Sequence, residues 1–110
     1  MNTSQIRAFL TVAQTLSYIR AAELLYTTQP VVSYQIKALE TELGVTLFNR
    51  THRSVELTAA GSYFYKQMEP LLRQLEAIVQ TVQSMNAQTP KLINLLVRRL
   101  ADYGKLTQII

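Results

Sequence analysis

The chain has 110 residues, with 11 lysines and arginines, 7 aspartates and glutamates, one histidine and no cysteine. This length allows one domain with appendages and excludes a large multidomain enzyme. The absence of cysteine excludes disulfides, thiolate metal sites and thiol nucleophiles, and one histidine cannot build a histidine-rich metal site. The net charge of +4 favours a nucleic acid or another acidic partner if the basic residues are suitably placed.

The hydrophobic content predicts a folded chain without a membrane span. Residues AVILMFWYC make up 48% of the sequence, which argues against disorder. No stretch approaches the roughly 20 apolar residues that a spanning helix needs, and polar residues interrupt the apolar positions near the N-terminus. We therefore expect a cytoplasmic protein with no membrane partner.

Residues 1–57 show helical periodicity with short breaks. Apolar residues recur at helical spacing from Ile6 to Leu16, and either Thr3 or Ser4 is available as the N-cap. Ser17 is placed to cap a second, short helix. These patterns predict two helices at the start of the chain.

A third helix is predicted from Thr28 to Gly44. Thr28 is a suitable N-cap, and Pro30 suits the first turn because its missing N–H would have no partner there. Gly44 is suited to end the helix. Short apolar pieces then flank a polar, basic segment at residues 49–54, namely Val45, Leu47 and Phe48 before it and Val55 and Leu57 after it, which predicts two short strands joined by a turn.

Residues 58–87 predict a long helix, with Thr58 as its cap. Its apolar positions alternate in steps of 4 and 3, which is a heptad pattern. The seam consists of Phe64, Met68, Leu71, Leu75, Ile78, Val82 and Met85. We expect a second copy of the chain to cover this seam, and packing on the chain's own first domain is the alternative. Pro70 should bend or divide the helix.

Residues 88–110 form a tail whose pattern fits either a helical face or strands. The tail holds four of the 11 basic residues and one acidic residue, so most of the excess charge lies there. A cationic apolar tail of this kind could bind a partner or a membrane surface. Any argument for DNA binding must therefore rest on individual basic residues in the first 57 positions.

Residues 21–36 match a helix-turn-helix pattern. Ala22, Leu25, Val32 and Ile36 are apolar around a polar gap, and small Ala22 allows two helices to cross closely. The start of the second helix would then face outward, where its side chains and free N–H groups can reach bases and phosphates. Its available side chains are Gln29, Pro30, Val31, Ser33, Tyr34 and Lys37. An ordinary helical hairpin is the alternative.

The basic turn strengthens this interpretation. Arg50 and Arg53 flank His52 at the predicted strand–turn–strand tip, immediately after the predicted recognition helix. A wing of this kind can place arginine on phosphates or in a minor groove. A solvated turn is the alternative, and His52 is expected to be an exposed wing residue.

Four segments together resemble the LysR-type transcriptional regulators. These segments are SYIRAAELL at 17–25, TQPVVSYQIKALE at 28–40, LGVTLFNR at 43–50 and LTAAG at 57–61, preceded by IRAF at 6–9. They occur in the family's order with matching gaps, and the resemblance covers about residues 3–85. It implies a mainly α fold: a winged helix-turn-helix at 1–57 and a dimerising linker helix at 58–87.

The resemblance also implies binding to double-stranded DNA at interrupted, dyad-symmetric operators. By motif, the residues facing the major groove would be Thr28, Gln29, Pro30, Val31, Ser33, Tyr34 and Lys37. Arg50 and Arg53 would serve the wing, and Arg20 would hold a backbone phosphate. Tyr34 replaces a residue that is frequently basic in the family. The chain would form a homodimer through the linker helix, with assembly beyond the dimer left open.

LysR-type regulators continue into an α/β effector-binding domain, which this sequence lacks. We expect a fragment, a short form or a product with a changed reading frame, with no effector site. A protein-interaction module that pairs with full-length relatives is the alternative function. No carboxylate pair, phosphate loop or nucleophile–base set is present, so we expect no enzyme activity, no cofactor and no metal.

Overall fold

The computed structural model describes residues 1–51 and 53–85. The elements are α1 (Thr3–Thr15), α2 (Tyr18–Leu24), α3 (Gln29–Leu43), β1 (Phe48–Arg50), β2 (Val55–Leu57) and α4 (Ala59–Met85). The predicted mainly α fold, with three helices, a two-stranded wing and a long following helix, is confirmed. The predictions for His52 and for the tail at 88–110 lie outside the described residues.

Helix α1 begins one residue earlier than the sequence pattern suggested. Asn2 is the N-cap: its side chain accepts the N–H of Gln5 at 2.8 Å, and the Gln5 side chain accepts the N–H of Asn2 at 3.2 Å. The prediction of Thr3 or Ser4 as the cap is therefore wrong. The reciprocal pair at Asn2 satisfies two helix-end donors at once, which a lone hydroxyl would not do.

The junction between α1 and α2 corrects a second prediction. Leu16 is not a helical core position, because it ends α1 in the left-handed region with φ 53° and is exposed. Its N–H still donates to the carbonyl oxygen of Val12 at 2.6 Å. Ser17 caps α2 as predicted, and its hydroxyl accepts the N–H of Arg20 at 3.0 Å.

The predicted ends of α3 and the predicted start of α4 are confirmed, whereas the predicted end of the long helix at residue 87 lies outside the described residues. Gly44 ends α3 with φ 72°, a conformation that costs glycine little. Thr58 lies just before α4, where its hydroxyl accepts the N–H of Gly61 at 3.0 Å and donates to the carbonyl oxygen of Thr46 at 2.6 Å. Helix α4 continues through Pro70, so of the two predicted effects of this proline, a bend or a division, division is excluded and a bend stays a prediction.

The core joins the three N-terminal helices to the wing and to the start of α4. Phe9 is fully buried, and its ring centroid lies 5.3 Å from that of Phe48 and 5.1 Å from that of Phe64. Tyr18 adds an edge-on contact with Phe48 at 6.1 Å. Such pairs stabilise a fold beyond the area that they bury, by about 0.5–1.5 kcal/mol each. The aromatic rings therefore connect α1, α2, β1 and α4.

Residues Met1–Gln74 form one compact unit, which includes the first part of α4. Leu72 is buried in its core, and Phe64, Tyr65 and Met68 are half-buried against it. A second unit begins at Leu75, and the structure describes it only as far as Met85. None of the helices in the described parts of the chain is long and apolar enough to cross a membrane.

The two strands pair antiparallel over a short ladder. Phe48 lies opposite Leu57, and Arg50 lies opposite Val55. Val45, which the sequence pattern grouped with the first strand, lies before it and is exposed. The strand begins at Phe48 because the preceding residues turn away from the end of α3, with the Val45 N–H donating to the Glu40 carbonyl oxygen.

Gly61→Ala tests the packing of α4 beneath the wing. A Cβ atom at Gly61 would collide with the backbone carbonyl oxygen of Leu47 and would approach Leu57 Cδ2 to 3.0 Å. We expect a loss of about 1–3 kcal/mol in the free energy of unfolding, measured by urea denaturation, because backbone must move to relieve the collision. Gly44→Ala is the comparison, since a Cβ there meets no atom within 4 Å and only the positive φ is unfavourable. A Gly61→Ala chain as stable as the wild type would contradict this packing.

Candidate nucleic-acid interface

Helices α2 and α3, with the turn that joins them, form the predicted helix-turn-helix. Ala21 and Ala22 of α2 and Val32 of α3 are buried in the common core, as the predicted packing of the two helices through a small residue requires. Helix α2 ends at Leu24 with Leu25 as its C-cap, and Tyr26 turns the chain in the left-handed region with φ 55°. Residues other than glycine and asparagine rarely adopt this backbone conformation. The turn therefore has glycine-like geometry although a tyrosine occupies it.

Helix α3 differs from α1 and α2 in how its first turn is satisfied. Asn2 and Ser17 cap their helices with side-chain hydrogen bonds, whereas Thr28 has the extended N-cap backbone but makes no such bond. Pro30 lies in the first turn and has no N–H to satisfy. The first-turn N–H groups of α3 are thus left without the side-chain cap that the other two helices have. Such a helix start has partial positive charge and attracts anions.

The outer face of α3 presents most of the predicted recognition residues to solvent. Its inner face is buried through Val32, Ile36 and Leu39. Tyr34 is 74% exposed, and Ser33 is half-buried. The other predicted positions on this face are exposed, namely Thr28, Gln29, Pro30, Val31 and Lys37. The helix therefore offers an amide, hydroxyls, an ammonium and apolar contacts on one accessible surface.

Arg20 lies in the first turn of α2, where its side chain is exposed. Its own backbone N–H is taken by the Ser17 hydroxyl. The predicted phosphate contact would therefore come from the guanidinium and not from the backbone at this helix start.

The wing closes through a polar turn between its two short strands. The Thr51 N–H donates to the Ser54 carbonyl oxygen at 3.0 Å, and the Thr51 and Ser54 hydroxyls lie 2.9 Å apart. Arg53 lies in this turn and is exposed. In the described part of the chain no ion pair or ring contact holds its guanidinium, which leaves the charge accessible at the tip.

Arg50 has a partner that the sequence pattern did not suggest. Its guanidinium carbon lies 4.0 Å from the centroid of the Tyr18 ring, and this cation–π contact joins β1 to α2. Burial raises the pKa of the Tyr18 hydroxyl, against the opposing effect of the Arg50 charge, and the Glu40 carboxylate raises it further. The phenol therefore stays neutral under physiological conditions. A tyrosine in the apolar pattern of α2 reads as a core residue, and only its position beside β1 reveals this contact.

Glu40 is the second residue that sequence reasoning missed. Its Oε2 accepts the N–H groups of Leu47 at 2.7 Å and Phe48 at 3.3 Å, and so joins α3 to the start of β1. The carboxylate is half-buried, and hydrogen bonds to a charged acceptor are stronger than those between neutral groups. A signal was present in the sequence: a glutamate facing the core side of α3, four residues before a helix-ending glycine. Its partners became visible only in the fold.

The predicted seam of α4 divides into two parts. In the compact unit, Phe64 and Met68 are half-buried against the chain's own core, and Leu71 is 55% exposed. Packing on the chain's own first domain, the alternative to dimerisation, therefore applies to Phe64 and Met68. In the second unit, the remaining seam residues are exposed, namely Leu75, Ile78, Val82 and Met85.

The described residues contain no cluster of three or more histidine, cysteine, aspartate or glutamate side chains that could hold a metal ion. The small surface cavity beside the start of α3 has a volume of about 170 Å³ and is lined by Ser4, Arg7, Leu25, Thr27, Val31 and Gln35. No nucleophile–base pair lies in it. The chemistry available on this surface is therefore that of recognition by hydrogen bonds, charge and apolar contact.

Comparison with known proteins gives a family. The family described as "Bacterial regulatory helix-turn-helix protein, lysR family" matches residues 3–62. The chain is 39% identical over 100 residues to the HTH-type transcriptional activator AllS of Klebsiella pneumoniae. That alignment covers 91% of this chain and 37% of the activator, so the chain spans little more than a third of the length of this relative.

Two similar solved structures are DNA complexes of regulator domains. The BenM DNA-binding domain with catB site 1 DNA is 33% identical with a TM-score of 0.73, and the match covers 80% of this chain and 99% of that chain. The CbnR DNA-binding domain with DNA is 34% identical with a TM-score of 0.71, covering 77% and 98%. The family and these relatives are regulators with DNA-binding domains and are not enzymes. The chain belongs to the lysR family of bacterial regulatory helix-turn-helix proteins.

Proposed function

We propose that the chain binds double-stranded DNA sequence-specifically, as a homodimer, and acts as a LysR-type transcriptional regulator in the cytoplasm. The observation that carries the proposal is the exposed outer face of α3, whose first turn lacks a side-chain cap and whose side chains can read base edges. The DNA complexes formed by the similar domains of BenM and CbnR support it. No effector-binding role is proposed for these residues.

Each surface feature has a part in the proposed complex. The start of α3 enters the major groove, where Gln29 can pair with adenine and Val31 can touch a thymine methyl. Arg20 holds a backbone phosphate, Lys37 faces the major groove with the other α3 side chains, and Arg53 at the wing tip adds an ionic contact. Phosphate contacts set the register, whereas the α3 side chains select the sequence. A dimer would place two such units on an interrupted dyad.

The exposed apolar residues of α4 support dimerisation. Leu75, Ile78, Val82 and Met85 follow heptad spacing and are exposed in the chain. A helix with such a stripe gains stability when a partner helix covers it. The proposal assigns DNA reading to residues 1–57 and pairing to residues 58–87, with the first part of α4 also completing the core of the compact unit.

The same exposed apolar residues of α4 favour a second candidate function, in which the chain pairs with longer relatives and alters their assembly. Binding to DNA discriminates between the two. Fluorescence anisotropy compares a duplex selected from a random-sequence pool with unselected duplex. Equal affinity for both duplexes, lost at moderate salt, would contradict the regulator and leave the interaction module.

Gln29→Ala tests the sequence-reading role of α3. We expect binding to the selected duplex to weaken by about tenfold, since a bidentate base contact contributes about 1–3 kcal/mol to discrimination. Binding to random duplex should change little. Gln14→Ala, at an exposed glutamine near the end of α1, is the control and should leave both affinities unchanged. An equal loss on both duplexes for Gln29→Ala would contradict the assignment.

Arg53→Ala tests the ionic contact of the wing. The affinity should fall for all duplexes, and the slope of log K against log salt should decrease in magnitude by about one, because one phosphate contact is lost. Arg73→Ala removes an exposed arginine of α4 that pairs with Glu69, and serves as the control. An unchanged slope for Arg53→Ala would remove this residue from the interface.

Leu75→Glu tests the dimer. An unpaired charge buried in the seam is unfavourable, so light scattering should report the mass of a single chain where the wild type has that of two. Gln74→Glu introduces the same charge one residue away from the seam and should leave the dimer intact. A Leu75→Glu chain that keeps the wild-type mass would refute the seam.

A further inference from the structure

The first strand of the wing is held at both of its ends by the helix-turn-helix. At its start, the Glu40 carboxylate on α3 accepts the N–H groups of Leu47 and Phe48. At its end, the Arg50 guanidinium lies over the Tyr18 ring on α2. Between these points, the Phe48 ring packs edge-on against Tyr18 and tilted against Phe9. Two charged residues and an aromatic pair therefore connect a three-residue strand to both helices.

These contacts matter because the wing cannot orient itself. Each strand has three residues, and an isolated two-stranded hairpin of this kind is marginally stable in water. The direction of the wing relative to α3 must come from contacts outside the hairpin. Those contacts are the Glu40 hydrogen bonds, the aromatic packing and the stacking of Arg50 on Tyr18.

The two wing arginines occupy different environments. Arg50 is the last residue of β1; it is exposed, as Arg53 is, but its guanidinium stacks on the buried Tyr18 ring of the same chain. Arg53 lies in the turn, is exposed, and has no ion pair or ring contact among the residues that the structure describes. A guanidinium that stacks on an aromatic face is fixed in position by it, whereas one at a free tip can follow a phosphate.

We propose that Arg50 is a positioning residue, which fixes the wing on the helix-turn-helix by stacking on Tyr18, and that Arg53 alone carries the ionic contact of the wing with DNA. This assignment rests on the proposed function. It separates two arginines that the sequence pattern treated as equivalent. The group that Arg53 would contact is a phosphate of the double-stranded DNA backbone.

The salt dependence of binding distinguishes the two roles. Arg50→Gln and Arg53→Gln each remove one charge and keep a polar side chain, and anisotropy is measured on the selected duplex over a range of KCl concentrations. For Arg53→Gln the slope of log K against log salt should fall in magnitude by about one. For Arg50→Gln the slope should stay at the wild-type value while the affinity drops by about fivefold. A slope that falls by about one in Arg50→Gln would overturn the proposal.

A double-mutant cycle tests the coupling to Tyr18. Tyr18→Phe keeps the ring and should bind like the wild type, whereas Tyr18→Leu should lose as much affinity as Arg50→Gln. The Tyr18→Leu/Arg50→Gln double variant should bind no more weakly than either single variant, because both remove the same contact. Losses that add would overturn the proposal. Circular dichroism should show the Arg50→Gln chain folded at the assay temperature, so that its lower affinity belongs to the folded state. An affinity equal to that of the wild type after correction for the unfolded fraction would overturn the proposal.

A measurement without DNA separates this inference from the proposed function. The side-chain protons of Arg50 should show ring-current shifts in NMR spectra of the wild-type chain, and these should remain in Tyr18→Phe. If Tyr18→Leu does not fold, these shifts and the slope for Arg50→Gln decide the matter. Absent shifts would overturn the stacking. A wild-type chain that selects no duplex would contradict the proposed function, whatever the spectra show.

Discussion

The fold depends on the burial of Phe9. Its side chain has no solvent exposure, and its ring contacts Phe48 of β1 and Phe64 of α4. One aromatic side chain of α1 thereby places the wing and the start of the long helix against the same core. A large-to-small change at such a site leaves a cavity between three elements, with a typical loss of about 3–5 kcal/mol. The recognition surface of α3 is presented correctly only while this core is intact.

Electrostatics in this chain act locally. Most of the excess positive charge of the sequence lies in residues 91–110, so the net charge contributes little to an argument for DNA binding. The informative features are single groups: the uncapped first turn of α3, the exposed guanidinium of Arg53 and the neutral phenol of Tyr18 under Arg50. A charge that stacks on a buried ring and a charge at a free turn have different roles, although a sequence shows both as arginine.

Two kinds of surface are therefore built on one small core. On α3, polar and apolar side chains project outward from a helix whose inner face is buried by Val32, Ile36 and Leu39. On α4, the first apolar positions of the heptad pattern complete the core, and the later ones are exposed. The same periodicity thus has an intrachain role at Phe64 and Met68. It supports an intermolecular role only from Leu71 onward.

The sequence alone determined the elements, because their signals are local. Helical periodicity, Ser17, Gly44 and Thr58 marked the helices and their ends, and the family motifs identified the recognition helix and the wing. Local signals failed at the N-terminus of α1, where Asn2 and not Thr3 or Ser4 is the cap, and at Leu16, which ends α1 instead of packing in the core. Only the tertiary structure decided which distant groups meet: Glu40 with the N–H groups of β1, and Arg50 with the ring of Tyr18. Such contacts join residues of different secondary-structure elements, whose relative positions depend on the packing around Phe9 and are not encoded in a local pattern.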